Sequence, residues 1–267
     1  MIRTTQADLL NLFRSLGIRS GDTVVAHTAL FSLGIIEGGV GGFYKTLQSI
    51  IGVDGTLVVP TFTYSFRRDE VFDIVNSPSA RNIGVLSEYV RNRADSIRSS
   101  DPIFSFAAIG SRASELMERG SAACFGRGSI YDSLFDADAC FLAVGINYSS
   151  GLSGFMHLEK LANVPYRNDK QFFGTSRNAQ GFEFPDSAIH YVRDEESYGA
   201  VITDREPMGL LLEQSGASLA IDYGYGRHLC LKGTRWRDVV LKKLSEDPFY
   251  MLDTSQYDNG KIPTASS

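Results

Sequence analysis

Hydrophobic positions along the chain switch between a period near two and a period near 3.6, and the switching predicts strands separated by helices. Leu9, Leu12, Phe13 and Leu16 share one helical face; Thr4 or Thr5 can cap that helix and Gly17 can end it. Residues 22–27 then read as a buried strand ending on His27, residues 34–42 as a loop, and residues 43–51 as a second helix. Residues 56–60 form the next strand. A helix at 82–93, a strand at 105–109, a helix at 111–119, a strand at 139–144 and a helix at 154–163 continue the alternation. Strands alternating with crossover helices imply an α/β fold with a layered sheet.

Between these elements the pattern is weaker. Residues 64–78 mix charged and apolar side chains without a period and suggest a long loop over the site, while residues 171–198 suggest an irregular or β excursion, with a Gly224-Tyr225-Gly226 turn beyond it. The tail from 253 to 267, rich in Ser, Thr, Asn and Gly, is expected to fray. No internal repeat divides the chain, and one domain over 1–267 is the expectation.

Composition narrows the function classes. At 267 residues and 43% hydrophobic content the chain can bury a sizeable core. A net charge of −5 disfavours nucleic acid and anionic membrane as partners, because both reward basic patches; a cationic small molecule stays compatible. The N-terminal residues carry charge where a secretory signal needs an apolar stretch, and no run is long enough to span a membrane, so a cytoplasmic protein is expected. Cys124, Cys140 and Cys230 are odd in number and lack CxxC spacing, which points to reduced thiols without a metal.

The strand at 139–144 empties into a Gly/Ser loop, and the helix after it carries His157, one of four histidines. Histidine, with an ordinary pKa near neutrality, is the side chain best matched to take a proton from an amine at pH 7. Glu159 is the nearest carboxylate that could orient it. The glycine cluster Gly38-Gly39-Val40-Gly41-Gly42 opens a helix and could cradle a phosphate or simply make a tight connection; it is not a Walker loop. Cys124 in its Gly-rich loop offers a minor alternative through a covalent intermediate. Asp69, Glu70 and Asp73 make the nearest approach to an acidic cluster.

Several segments together carry a family resemblance. His27-Thr-Ala-Leu-Phe-Ser-Leu-Gly34, Pro60-Thr-Phe-Thr63, Arg98-Ser-Ser-Asp-Pro-Ile-Phe-Ser-Phe-Ala-Ala-Ile-Gly110, Cys124-Phe-Gly-Arg-Gly-Ser129, Phe141-Leu-Ala-Val-Gly-Ile-Asn147 and Phe155-Met-His-Leu-Glu159 with Val164-Pro-Tyr-Arg167 are similar to the aminoglycoside 3-N-acetyltransferase (antibiotic N-acetyltransferase) family. The resemblance implies that family's α/β fold rather than the GNAT fold, whose Gln/Arg-x-x-Gly-x-Gly/Ala motif is missing. It also implies acetyl-CoA as co-substrate, and direct acetyl transfer to an amine of an aminoglycoside or related amino sugar. His27, Thr28, Ala29, Leu30, Gly39, Thr61, Thr63 and Ser105 would lie along the CoA site, and Asp101, Tyr64 and Arg167 would face the acceptor. His157 and Glu159 would be the catalytic pair, no metal is required, and a homo-oligomer is compatible.

Two departures bear on the acceptor and the base. Asp101 stands where many relatives have histidine before the proline. In the family, glutamate follows the histidine by three positions on one helical face, whereas Glu159 follows His157 by two; aligning on Val164-Pro-Tyr-Arg167 puts Met156 at the histidine position. The alternatives are therefore a biosynthetic N-acyltransferase of a nucleotide-linked amino sugar, or a relative that binds CoA or sugar without turnover.

Overall fold

The computed structural model describes residues 1–68, 70–118, 123–255, 257 and 262. A seven-stranded mixed sheet has the order Ser218–Tyr223, Gly226–Lys232, Cys140–Val144, Thr23–Thr28, Thr56–Pro60, Phe106–Gly110, Ile97–Arg98. Its three central strands are parallel, Thr23–Thr28 pairing with Thr56–Pro60 on one side and Cys140–Val144 on the other, and the flanking strands are antiparallel. Burial on both faces explains their near-continuous apolar sequences.

The two faces feed two cores. Val24, Ala26, Leu57 and Val59 pack with Leu9, Phe13, Phe43 and Leu47 under the helices Gln6–Ser15 and Gly39–Ile51. Val25, Val58, Phe141 and Ala143 point the other way, toward Phe135, Phe155, Leu158 and Trp236 of the helices Ile130–Asp136, Gly154–Leu161 and Gly233–Glu246. Trp236 is fully buried, with the rings of Phe135, Phe141 and Phe155 at 5.2, 5.0 and 4.8 Å. The helix Gly154–Leu161 seats so close to this indole that a Cβ on Gly154 would come within 2.6 Å of it.

Several boundaries differ from the sequence expectation for local reasons. The second helix starts at Gly39 rather than at 43, because Gly38 and Gly39 take left-handed backbone (φ 71° and 60°) and turn the chain straight into the first turn. The predicted helix at 82–93 is split by Gly84, at φ 105°, into a 3-10 turn Arg81–Ile83 and a helix Val85–Arg91. The helix expected at 111–119 spans Ala113–Met117, and residues 119–122 lie outside the described set. Residues 64–78 hold a 3-10 turn, Tyr64–Arg68, and a short strand, Phe72–Asp73, rather than a loop alone. The excursion expected at 171–198 is a long antiparallel hairpin, Arg167–Arg177 with Glu183–Arg193, and Phe72–Asp73 joins its outer edge. The Gly224-Tyr225-Gly226 turn closes the hairpin of the edge strand Ser218–Tyr223 and its neighbour Gly226–Lys232. Most of the tail expected to fray (256, 258–261 and 263–267) lies outside the described residues. No helix among the described residues is long and apolar enough to cross a membrane.

Thr5 does cap the first helix. Its hydroxyl accepts from the Asp8 N–H at 3.2 Å while its own N–H donates to the Asp8 carboxylate at 2.9 Å, a reciprocal capping box. Thr5→Ala should therefore cost about 1 kcal/mol of unfolding free energy in urea titration. An unchanged midpoint would contradict the cap's role.

Candidate active site

The carboxyl ends of the three parallel strands open into one cavity of about 620 Å³. His27, Thr28 and Ala29 come from the first strand end, Pro60, Phe62 and Tyr64 from the second, and Gly145 and Ile146 from the third. Ser150 to Ser153 and Met156 close one side, Asn82, Ile83 and Phe104 another, and His190 of the long hairpin and Arg205 complete the wall. A crevice beyond the carboxyl ends of parallel strands is where α/β sheets commonly bind ligands.

Glycine is required at the third strand end. Gly145 has φ 65°, and a Cβ there would meet Ser32 Oγ at 2.2 Å. Its N–H donates to His228 Nδ1 at 3.2 Å, so the proton of that ring sits on Nε2, which donates to the Tyr223 carbonyl at 2.9 Å. Both nitrogens of the fully buried His228 are thus committed to holding the loop. On the first strand end, His27 places Nε2 3.5 Å from Ser153 Oγ, and Ser153 is also bonded to the Tyr131 hydroxyl. Nδ1 of His27 has no partner among the described residues, and burial pushes its pKa down to about 4.

His157 does not reach the cavity. Its ring is fully buried in the core under the sheet, stacked on Phe135 at 5.1 Å, with Nδ1 accepting from the Gly126 N–H at 3.2 Å. Burial pushes it down to about 4, against a smaller opposing pull from the Asp132 carboxylate 3.9 Å from Nε2. The residue that faces the cavity from this helix is Met156. Two residues on a helix are splayed by roughly 200°, so Glu159 cannot orient His157 either. Glu159, fully buried, instead sits 2.8 Å from Arg167 Nε and 3.3 Å from Arg205 Nη2, and accepts from the Tyr166 hydroxyl at 3.0 Å.

Of the other residues expected at the site, His27, Thr28, Ala29 and Tyr64 line the cavity, and Leu30, Gly39, Thr61, Thr63, Ser105, Asp101 and Arg167 do not. Thr61, Thr63 and Ser105 form a buried knot around Arg98, whose guanidinium donates to the Thr61 carbonyl at 2.9 Å, to Ser105 Oγ at 3.2 Å and to Thr63 Oγ1 at 3.3 Å. Asp101 accepts from the N–H groups of Ile103 and Phe104, both at 2.8 Å, and so aims Phe104 at the cavity. Burial raises its pKa. Gly39 is exposed at its helix start. Asp69 lies outside the described residues, and Asp73 is engaged by Arg177 at 3.2 Å, so the described acids of that segment do not line the cavity.

Sequence reasoning missed Met156 as a lining residue, and His190 and Arg205 altogether. His190 lies on a strand whose polar and apolar residues follow no strict period, and its only signal was being one of four histidines. Arg205 precedes the helix Glu206–Gln214 and had no local mark at all.

Comparison with known proteins identifies the family and the fold. The family described as aminoglycoside 3-N-acetyltransferase matches residues 25–216. Aminoglycoside N(3)-acetyltransferase IV of Salmonella sp is 29% identical over 163 residues, and the match spans 60% of this chain and only 60% of that relative's length. Two solved structures, AAC-IIIb in a binary complex with CoASH and AAC-VIa bound to sisomicin, share the fold at TM-scores of 0.78 and 0.79. They cover 92% of this chain and 97% and 98% of their own, at 20% and 17% identity, a likeness of fold. The family match covers well over half of the sequence, and the chain belongs to the aminoglycoside 3-N-acetyltransferase family.

Proposed function

We propose that the chain transfers acetyl from acetyl-CoA directly to an amine of an aminoglycoside or related amino sugar, with His190 as general base. Family membership and a fold shared with a CoA-bound relative support the reaction class. The observation that carries the choice of base is an elimination among the four histidines. His157 and His228 are buried away from the cavity, and His27, which lines it, has Nε2 set against Ser153 Oγ at 3.5 Å and its pKa pushed down by burial. His190 is the cavity histidine that is left.

The residues fit a thioester donor. Phe62, Phe104, Ile146, Leu152 and Met156 give an apolar wall suited to a pantetheine arm, and His27 Nδ1 offers a buried polar atom to its amides. Acetyl-CoA supplies the activated acyl carbon. His190 takes the proton as the acceptor amine attacks, and returns it to the departing thiolate; the Thr28 hydroxyl donates toward the carbonyl oxygen that gains charge. Cys124 does not line the cavity, and its thiol lies 3.6 Å from Asp101, which favours direct transfer over a covalent intermediate.

His190→Ala should lower kcat/KM by about 10²-fold or more, the usual contribution of a general base. His157→Gln, measured per folded molecule, should lower it far less. The opposite ranking would refute the choice of base.

Burial of His27 and His157 also fixes a pH dependence of stability. Both are held near 4 when folded and titrate near 6.5 when unfolded, so between those values the unfolded chain binds more protons. Stability is then full above about 6.5 and falls as pH drops toward 4. Asp73 and Glu88, held near 2, lose their contribution only as pH falls below their unfolded values of 3.8 and 4.5, outside the range from 7 to 5. Urea midpoints should fall between pH 7 and 5, and His157→Phe should flatten the decline; a midpoint flat from 7 to 5 would contradict it.

A further inference from the structure

Among the described residues lining the cavity there is no aspartate and no glutamate. The lining residue with a permanent charge is an arginine, Arg205, only 6% exposed. Its position is fixed from three sides: its backbone N–H donates to Ser149 Oγ at 2.8 Å, its guanidinium lies over the Phe155 ring at 5.2 Å, and Nη2 is 3.3 Å from both oxygens of Glu159. Nε of Arg205 has no hydrogen-bond partner among the described residues. Glu159 does not neutralise this arginine alone, since it sits closer, at 2.8 Å, to the equally buried Arg167.

One buried carboxylate therefore serves two buried guanidiniums. Arg193, beyond them, adds a third positive charge in the same field, set against Glu195. The two carboxylates that flank Arg205 in sequence do not line this cavity: Asp204 accepts from the Ser149 hydroxyl and the Glu206 N–H, and Glu206 accepts from the Ser149 N–H on an adjoining cleft that also holds Arg227. The permanently charged side chain that the described lining presents to the cavity is therefore a cation.

A polycationic aminoglycoside would bring several ammonium groups into this space. Each beyond the reacting amine would lose water without gaining a carboxylate, and would face like charge. A carboxylate or phosphate gains a pre-positioned planar donor instead, the geometry that guanidinium reads best. We infer that the acceptor is an amino sugar carrying an anionic group, carboxylate or phosphate, and that Arg205 binds that group. This rests on the acetyl-transfer reading above and specifies the acceptor for the same cavity.

The test measures thiol release from saturating acetyl-CoA by the full chain with four acceptors: glucosamine, glucosamine 6-phosphate, 2-amino-2-deoxyglucuronate and kanamycin. One or both anionic acceptors should exceed glucosamine and kanamycin in kcat/KM by about tenfold or more, the lower end of what a hydrogen bond to a charged group contributes. Which of the two wins separates phosphate from carboxylate. In Arg205→Lys, with folding checked by circular dichroism, that preference should collapse through the acceptor KM while the acetyl-CoA KM holds. Kanamycin as the best acceptor, or no preference, would overturn the inference and leave acetyl transfer standing. A change confined to the acetyl-CoA KM in Arg205→Lys would overturn it by assigning the arginine to the donor. No turnover with any amine would overturn both.

Discussion

The buried carboxylate of Glu159 is the constraint on which the site depends. A fully buried carboxylate held by two arginines and a tyrosine hydroxyl is costly to separate from them, so the helix Gly154–Leu161 has little freedom to roll about its axis. With Glu159 fixed toward Arg205, the residue three positions before it, Met156, is carried onto the same side and into the cavity. His157 is carried to the far side, onto Phe135 and beneath Gly126. Rolling the helix far enough to bring His157 to the cavity would separate Glu159 from both arginines and drive Gly154 against Trp236.

The chemistry follows from that orientation. Three parallel strand ends supply a rigid floor, pinned by the Gly145 to His228 hydrogen bond and by Ala29, whose N–H donates to the Val144 carbonyl at 2.8 Å. Across it, the hairpin supplies His190, and the segment before Glu206 supplies Arg205. The helix expected from the sequence to carry the base contributes an apolar wall through Met156 and, through Glu159, the electrostatic anchor of the opposite side.

Local patterns were legible in the sequence where burial is two-sided or a cap is complete. The strand Thr56–Pro60 matches residue for residue, and the capping residue Thr5 is one of the two foreseen. The long hairpin was less legible, because its strands mix polar and aromatic side chains without a period of two and leave many of them exposed, as at Asp169, Lys170, Gln171 and Phe173. The family was legible from its motifs. The site was legible only in part: His27, Thr28, Ala29 and Tyr64 lie where a strand end leads directly into the cavity. His157 misleads because its type suits a base while its face is decided by a charge two residues on, and His190 and Arg205 reach the cavity through tertiary contacts that no spacing encodes.

The most direct measurement is a crystal structure of the full chain with CoA bound. The account predicts the CoA sulfur inside the cavity, between the Thr28 hydroxyl and the His190 ring, with His157 still buried against Phe135. A sulfur lodged against His157, or outside the cavity, would contradict it.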